Sequence, residues 1–170
     1  TSDWIINVFA KLLKIDTNVR LIIVGEGPEK KYLKQLSIDL KIDDYVSFVG
    51  SQLQANIFNY MNMADVFVSM NALSSLSNPV FEAMICGLPV IALNRGTTSE
   101  LIKNGENGIL IDDEQLGELP RIINNLLENN EERKRIAENG RKTILEQWPS
   151  WEERVKKEID LIENLVDNKV

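Results

Sequence analysis

Five short apolar runs, separated by stretches with helical spacing, constrain this chain more than any other feature. The runs are residues 19–25 (VRLIIVG), 45–50 (YVSFVG), 65–70 (DVFVSM), 88–93 (LPVIAL) and 108–112 (GILID). They are too short for helices and rich in Val and Ile. Continuous apolar runs of this kind predict strands buried on both faces, as in parallel sheets. Between them, apolar residues recur on one helical face. Trp4, Ile5, Val8, Phe9, Leu12 and Leu13 form one stripe, Tyr32, Leu33, Leu36 and Leu40 a second, and Ile57, Tyr60, Met61 and Ala64 a third. Strand and helix alternating in this way predict βαβ units, hence an α/β fold with a doubly wound parallel sheet.

Beyond residue 112 the pattern is helical only. Leu116, Leu119, Ile122, Ile123 and Leu126 predict one helix and residues 133–146 a second. Trp151, Val155, Ile159, Ile162 and Val166 predict a third, with Pro149 as the break before it and Ser150 as its N-cap. The charged run 128–135 reads as a solvated helix face and turn. The first stripe precedes the first strand, whereas a doubly wound sheet ordinarily opens with a strand that sits centrally. That first strand is therefore expected upstream of this sequence, and residues 1–170 are expected to form a single domain.

Composition excludes several functions. A formal net charge of −7 argues against a nucleic-acid-binding surface and against a polybasic membrane contact. With no histidine in the sequence, a histidine general base, a histidine metal ligand and a Ser-His-Asp triad are excluded. Cys86 is the single cysteine, so neither an intrachain disulfide nor a CxxC zinc site is available. No apolar run approaches the roughly 20 residues that span a bilayer, and residues 1–14 contain no uninterrupted apolar segment of the signal-peptide kind. A cytoplasmic location is the expectation. No metal and no cofactor are expected: Asp112-Asp113 reads as a cap for the next helix.

Three segments have the character of a site. Gly25-Glu26-Gly27-Pro28 follows a strand and precedes a helix, where glycines let the backbone turn tightly beside a ligand and Pro28 suits the first helical turn. The segment is equally an ordinary strand–helix turn, and it lacks the third glycine of a dinucleotide fingerprint. In residues 74–90 (SSLSNPVFEAMICGLPV), Asn78 reads as an N-cap, Pro79 as the first helical residue and Gly87 as the stop. The start of this helix would offer amides, those of Asn78 and Val80 among them, and a positive dipole end to an anion. Glu82 could face the same crevice and accept from ribose hydroxyls, or simply complement the helix dipole. In residues 94–100 (NRGTTSE), Thr97 and Glu100 fit a capping box, which accounts for Glu100 without a ligand. Residues 104–108 (NGENG) read as a turn into the last strand.

In this order, these segments resemble the C-terminal domain of the retaining glycosyltransferases of family 4, which have the GT-B fold, Rossmann-like in its sheet. The likeness spans about residues 3–165: LIIVGEGPEKKYLKQL, YVSFVG, ADVFVSM, NPVFEAMICGLPVIAL, TSELIKNGENGILI and WPSWEERVKKEID each match a family segment, NPVFEAMICGLPVIAL most specifically. The resemblance implies a donor site for a nucleotide-diphosphate sugar. Glu82 matches the second of the family's paired glutamates and would bind the donor's ribose. Ser74 stands where the first glutamate is expected; it can hydrogen-bond but carries no charge, so either Ser75, Ser77 and Asn78 handle the sugar differently or the domain transfers poorly. The amides at Asn78 and Val80 would receive the diphosphate, beside the Gly25 and Gly27 turn. The loop of Gly50, Ser51 and Gln52 would hold the base through main-chain groups.

The family's phosphate-neutralising Arg and Lys, and its acceptor-binding N-terminal domain, would lie upstream. The expected partners are therefore a nucleotide sugar and that N-terminal domain, with no nucleic acid and no membrane span. On this view the full-length protein is a hexosyltransferase acting in polysaccharide or glycoconjugate biosynthesis, and the chain alone is inactive. Ser74 also leaves open a non-catalytic nucleotide- or sugar-binding module of the same fold. A flavodoxin-like signalling domain fits poorly, because the early strands end in Gly25-Glu26 and Gly50-Ser51 rather than in an acidic phosphoacceptor cluster.

Overall fold

The computed structural model describes residues 3–70, 77–147, 155–156 and 158–161. In chain order the elements are α1 (Asp3–Leu12), β1 (Leu21–Val24), α2 (Lys30–Asp39), β2 (Val46–Gly50), α3 (Gln54–Met63), β3 (Phe67–Ser69), α4 (Asn78–Ile85), β4 (Val90–Leu93), α5 (Thr98–Leu101), β5 (Ile109–Ile111), α6 (Leu119–Glu128) and α7 (Asn130–Gln147). Short 3-10 turns at Asp43–Tyr45 and Asp113–Glu118 lead into β2 and α6. Each of the five apolar runs forms a strand, and every strand pair is parallel.

The strands fall into two hydrogen-bonded groups, β1-β2 and β3-β4-β5. Val24 is in register with Gly50, Ser69 with Ala92 and Leu93 with Ile111. All the strands within a group therefore end at the same edge.

Helices cover both faces. On one face Ile6, Val8, Phe9 and Leu12 of α1 join Leu33 of α2 and Leu119, Ile123 and Leu126 of α6 over Ile91 and Ile111. On the other, Met61 of α3, Val80, Ala83 and Met84 of α4 and Ile144 of α7 pack over Val90 and Ala92. The period-two alternation of a strand explains how β4 serves both cores: Ile91 points one way, Val90 and Ala92 the other. β4 is the strand that the apolar pattern describes best, being buried throughout.

The sequence pattern is less accurate elsewhere. β1 alternates between half-buried and exposed residues instead of being buried on both faces: among the described residues β2 is its one hydrogen-bonded neighbour, and one of its faces, that of Leu21 and Ile23, packs into a core. In α2, Leu33 carries the burial while Tyr32 and Leu40 are exposed. In α1 the fully buried residue is Ile6, which lies outside the predicted stripe. Of the third C-terminal helix, Val155 and Ile159 lie in helical segments; Trp151, Ile162, Val166 and the break at Pro149 and Ser150 lie outside the described residues.

Caps decide where the helices stop and start. α4 ends in a Schellman arrangement, with Leu88 N–H donating to Ala83 O at 3.0 Å and Gly87 N–H to Met84 O at 3.0 Å, Gly87 taking the left-handed φ of 71°. Asp112 and Gln115 form a reciprocal capping box at the 3-10 turn before α6, the capping role expected of the Asp112-Asp113 pair.

Three expected caps differ. α4 begins one residue earlier than expected: extended Ser77 is its N-cap and Asn78 its first residue, because Val80 N–H donates to Ser77 O at 2.9 Å and closes the first turn there. Pro28 lies ahead of α2, which starts at Lys30 after a turn in which Lys30 N–H donates to Gly27 O at 3.2 Å. Thr97 does precede α5, yet its backbone is not extended and its side chain makes no capping bond, so the Thr97–Glu100 box does not form.

Candidate functional site

Parallel strands place the segments that follow them at one edge, and in open α/β sheets ligands bind in the crevice outside that carboxyl edge. Four segments of this chain are candidates for such an edge: the Gly25 turn after β1 and the Gly50–Gln52 loop after β2 in one strand group, and the start of α4 and the loop after β4, which follow β3 and β4 in the other. Ser74 and Ser75, in the connection between β3 and α4, lie outside the described residues.

The first two segments form a unit. Gly25 N–H donates to Gly50 O at 2.8 Å, tying the ends of β1 and β2 together. Both glycines have left-handed backbones, with φ of 122° at Gly25 and 73° at Gly50, as a tight reversal at a strand end requires. The ion pair of Glu26 and Lys30 rests on the bare face of Gly50: a Cβ there would lie 2.8 Å from Glu26 Oε1 and 3.3 Å from Lys30 Nζ. Gln52 turns its side chain inward, donating from Nε2 to Val49 O at 2.8 Å, so this loop meets its surroundings through its main chain and the exposed Ser51.

The α4 start is built differently. Ser77 is half-buried and Asn78 exposed, and Val80 is buried in the core, its amide committed to Ser77 O. Of the two amides expected to face an anion, that of Asn78 is the one left without a partner among the described residues. Glu82 sits one turn further on, half-buried, and its carboxylate makes no hydrogen bond or ion pair among the described residues. Its charge is felt by Cys86, one turn beyond. Burial raises the pKa of the Cys86 thiol, Glu82 raises it further, and Arg141 of α7 opposes both. A half-buried carboxylate with no partner among the described residues can accept from ligand hydroxyls.

Two residues at this edge were not singled out from the sequence. Asn94 and Arg95 follow β4; Asn94 Nδ2 donates to Asp112 Oδ1 at 2.8 Å, and Arg95 Nη2 pairs with Asp113 Oδ2 at 2.5 Å. Arg95 and Lys30 are thus cations at the ligand edge, each already neutralised by a carboxylate. The signal for Arg95 in the sequence is an Arg just after a buried strand, beside a Thr97–Glu100 capping pattern that needs no ligand. Among the described residues, no group of three or more Cys, Asp or Glu side chains is placed to hold a metal ion.

The fold and this edge define a doubly wound α/β domain of the kind that takes ligands at the carboxyl ends of its strands. Comparison with known proteins makes the class specific. Residues 3–143 match the family model described as glycosyl transferases group 1, and the chain belongs to that family.

N-acetyl-alpha-D-glucosaminyl L-malate synthase of Bacillus anthracis is 30% identical over 149 residues, which make up 86% of this chain and 38% of that protein. Among solved structures, HepE of Anabaena in complex with UDP-glucose is similar with a TM-score of 0.74 and 28% identity, the match covering 84% of this chain and 39% of that one. TarM is similar with a TM-score of 0.82 and 25% identity, covering 94% of this chain and 32% of that one. The fold is that of the GT-B glycosyltransferases, and the chain spans about a third to two fifths of the length of such relatives. No helix among the described residues is long and apolar enough to cross a membrane.

Proposed function

We propose that this chain is the donor-binding, C-terminal domain of a family 4 retaining glycosyltransferase, and that it holds a nucleotide-diphosphate sugar at the carboxyl edge of its sheet. The observation that carries this is Glu82: a half-buried carboxylate with no structural partner among the described residues, one turn inside a helix that starts at that edge. The UDP-glucose complex of HepE supports the donor class.

In the arrangement we propose, the diphosphate meets the positive end of α4 and the amide of Asn78, with Ser77 beside it. Glu82 accepts from the ribose hydroxyls. The main chain of Gly50, Ser51 and Gln52 borders the base, and the Gly25–Gly27 turn closes that side. Charge developing on the leaving diphosphate is met by fixed amide dipoles that need no reorganisation during reaction. The acceptor enters from an N-terminal domain, whose closure excludes water and orients the two substrates. A hexosyl donor, a role in polysaccharide or glycoconjugate biosynthesis, a cytoplasmic site of action and inactivity of the chain on its own all belong to this proposal.

The test is calorimetry of the full-length protein with UDP, GDP, ADP and their sugar conjugates. One nucleotide should bind, and Glu82→Ala should weaken it about 10–100-fold, the loss of charge-assisted hydrogen bonds worth about 1.5–3 kcal/mol. Stability should change little, because the Glu82 carboxylate makes no hydrogen bond or ion pair among the described residues. Equal affinity in wild type and Glu82→Ala removes Glu82 from the site. Ser74 in place of a charged residue favours one further reading, a module that binds the nucleotide without transferring sugar. Donor hydrolysis or transfer by the full-length protein excludes it.

A further inference from the structure

α4 stops at Gly87, just before β4 begins, and its Val80, Ala83 and Met84 share a core with Val90 and Ala92 of β4. The eight residues of α4 rise about 12 Å and the four of β4 about 13 Å. A helix that ends where β4 begins, and packs along it, therefore starts near where β4 ends. Asn94 and Arg95 follow that end directly. Asp112 and Asp113 follow β5, whose Ile111 is in register with Leu93 of β4. Arg95 thus follows the strand end that the first turn of α4 overlies, and Asp113 follows the neighbouring strand.

The turn after β4 is held without the Arg95 side chain. Asn94 N–H donates to Ile111 O at 2.8 Å, and Asn94 Nδ2 to Asp112 Oδ1 at 2.8 Å. Arg95 N–H donates to Leu93 O at 2.9 Å, and Arg95 O accepts from Thr98 N–H at 3.2 Å. Asp112 is fixed further by its capping box with Gln115. The Asp113 carboxylate, by contrast, bonds Arg95 alone among the described residues, with 43% of the Arg95 side chain and 51% of the Asp113 side chain exposed. An ion pair this exposed holds its partners weakly. The guanidinium is therefore fixed at its backbone and free to exchange one anion for another.

The first turn of α4 needs such a cation. Pro79 has no N–H to give, and the Val80 amide is committed to Ser77 O. What remains at the helix start is the Asn78 amide and the helix dipole. These offset little of the charge of a diphosphate, which ordinarily meets Arg, Lys or a metal. We propose that Arg95 binds the diphosphate of the donor, and that Asp113 competes with the donor for its guanidinium. The proposal rests on the donor site described above and adds to it a residue of the loop after β4. An extended arginine side chain outreaches the roughly 4.8 Å between neighbouring strands, so the guanidinium can leave the β5 side for the start of α4 while its backbone stays in place. Its planar fork matches two phosphate oxygens as well as it matches a carboxylate.

The test is calorimetry of the full-length protein with UDP, GDP and ADP, on wild type, Arg95→Ala, Asp113→Asn and the double variant. Melting temperatures should barely move, because Asn94 and Asp112 still hold the turn. For the nucleotide that binds, Arg95→Ala should weaken affinity about 10-fold, the size of one charge-assisted contact. Asp113→Asn frees the guanidinium and should strengthen affinity about 3-fold, the size of an exposed ion pair. In the Arg95→Ala background Asp113→Asn should have no effect. A purely structural pair behaves differently: both single substitutions break the same bond and shift affinity in the same direction. That outcome overturns the proposal, as does affinity indifferent to Arg95. Strengthening by Asp113→Asn in both backgrounds also overturns it, since the Asp113 charge would then act on the donor directly. Binding that depends on Glu82 and not on Arg95 leaves the donor site standing and removes Arg95 from it; a wild-type protein that binds none of the three nucleotides overturns both.

Discussion

Gly50 joins the sheet to the ligand edge, and replacing it by alanine separates two costs that the structure places together. The first is backbone strain. At a φ of 73° an L side chain costs about 1–2 kcal/mol. The second is contact. The new Cβ would lie 2.8 Å from Glu26 Oε1 and 3.3 Å from Lys30 Nζ, so the ion pair has to leave its seat on the glycine. Both atoms end flexible, partly exposed side chains, and a pair of that kind is worth at most about 1 kcal/mol.

The sum is about 2 kcal/mol, a fall of roughly 4–8 °C in melting temperature for a domain of this size. Chemical denaturation of Gly50→Ala, Glu26→Ala and the double variant measures each part. In the Glu26→Ala background the cost of Gly50→Ala should shrink to the strain alone. Gly27→Ala is the control: nothing lies within 4 Å of its Cβ position and its backbone is not left-handed. It should be neutral or stabilising by up to about 1 kcal/mol. Wild-type stability in Gly50→Ala, or equal damage from Gly27→Ala, refutes this account of the turn. Calorimetry on Gly50→Ala should also show weaker nucleotide binding if the Gly50–Gln52 main chain borders the base.

Three further outcomes are expected. Cys86 should alkylate slowly at mildly alkaline pH, faster in Glu82→Gln and more slowly still in Arg141→Gln, because Glu82 raises the thiol pKa and Arg141 lowers it; a folded-state pKa above the unfolded value gives stability that is full below the unfolded pKa and is lost as pH rises through the folded one, and alkylation rates indifferent to Glu82 would place its charge away from Cys86. Asn107→Ala should cost about 2–3 kcal/mol in urea denaturation, because this buried amide accepts from Lys103 N–H at 2.7 Å and donates to Leu101 O at 3.1 Å and Thr143 Oγ1 at 3.0 Å; a cost below 1 kcal/mol, an order-of-magnitude threshold, would mean water replaces those bonds. Gly140→Ala should destabilise by about 1 kcal/mol despite alanine's better helix propensity, since its Cβ would sit 3.0 Å from Asn107 O; a gain in stability would show that α7 does not press on that turn.

The alternation of apolar runs with helical stripes determined the strands, their parallel order and the doubly wound class, because hydrophobic period is a local property that burial then selects. The stop at Gly87 and the cap at Asp112 were legible for the same reason, being set by residues within one turn of each other. Expectations depending on a single backbone angle or a competing carbonyl were less secure. Val80 N–H chose Ser77 O and moved the start of α4, and Thr97 lacks the extended backbone its capping bond requires.

Glu82 was visible in the sequence as a carboxylate early in a helix. That it has no structural partner among the described residues was not visible, because partners come from elements distant in the chain. The same holds for Arg95 with Asp113 and for the Glu26–Lys30 pair seated on Gly50. Burial on both faces was predicted alike for β1 and β4. Only the tertiary structure distinguished them, because a strand's interior or edge position is set by its neighbours and not by its own residues.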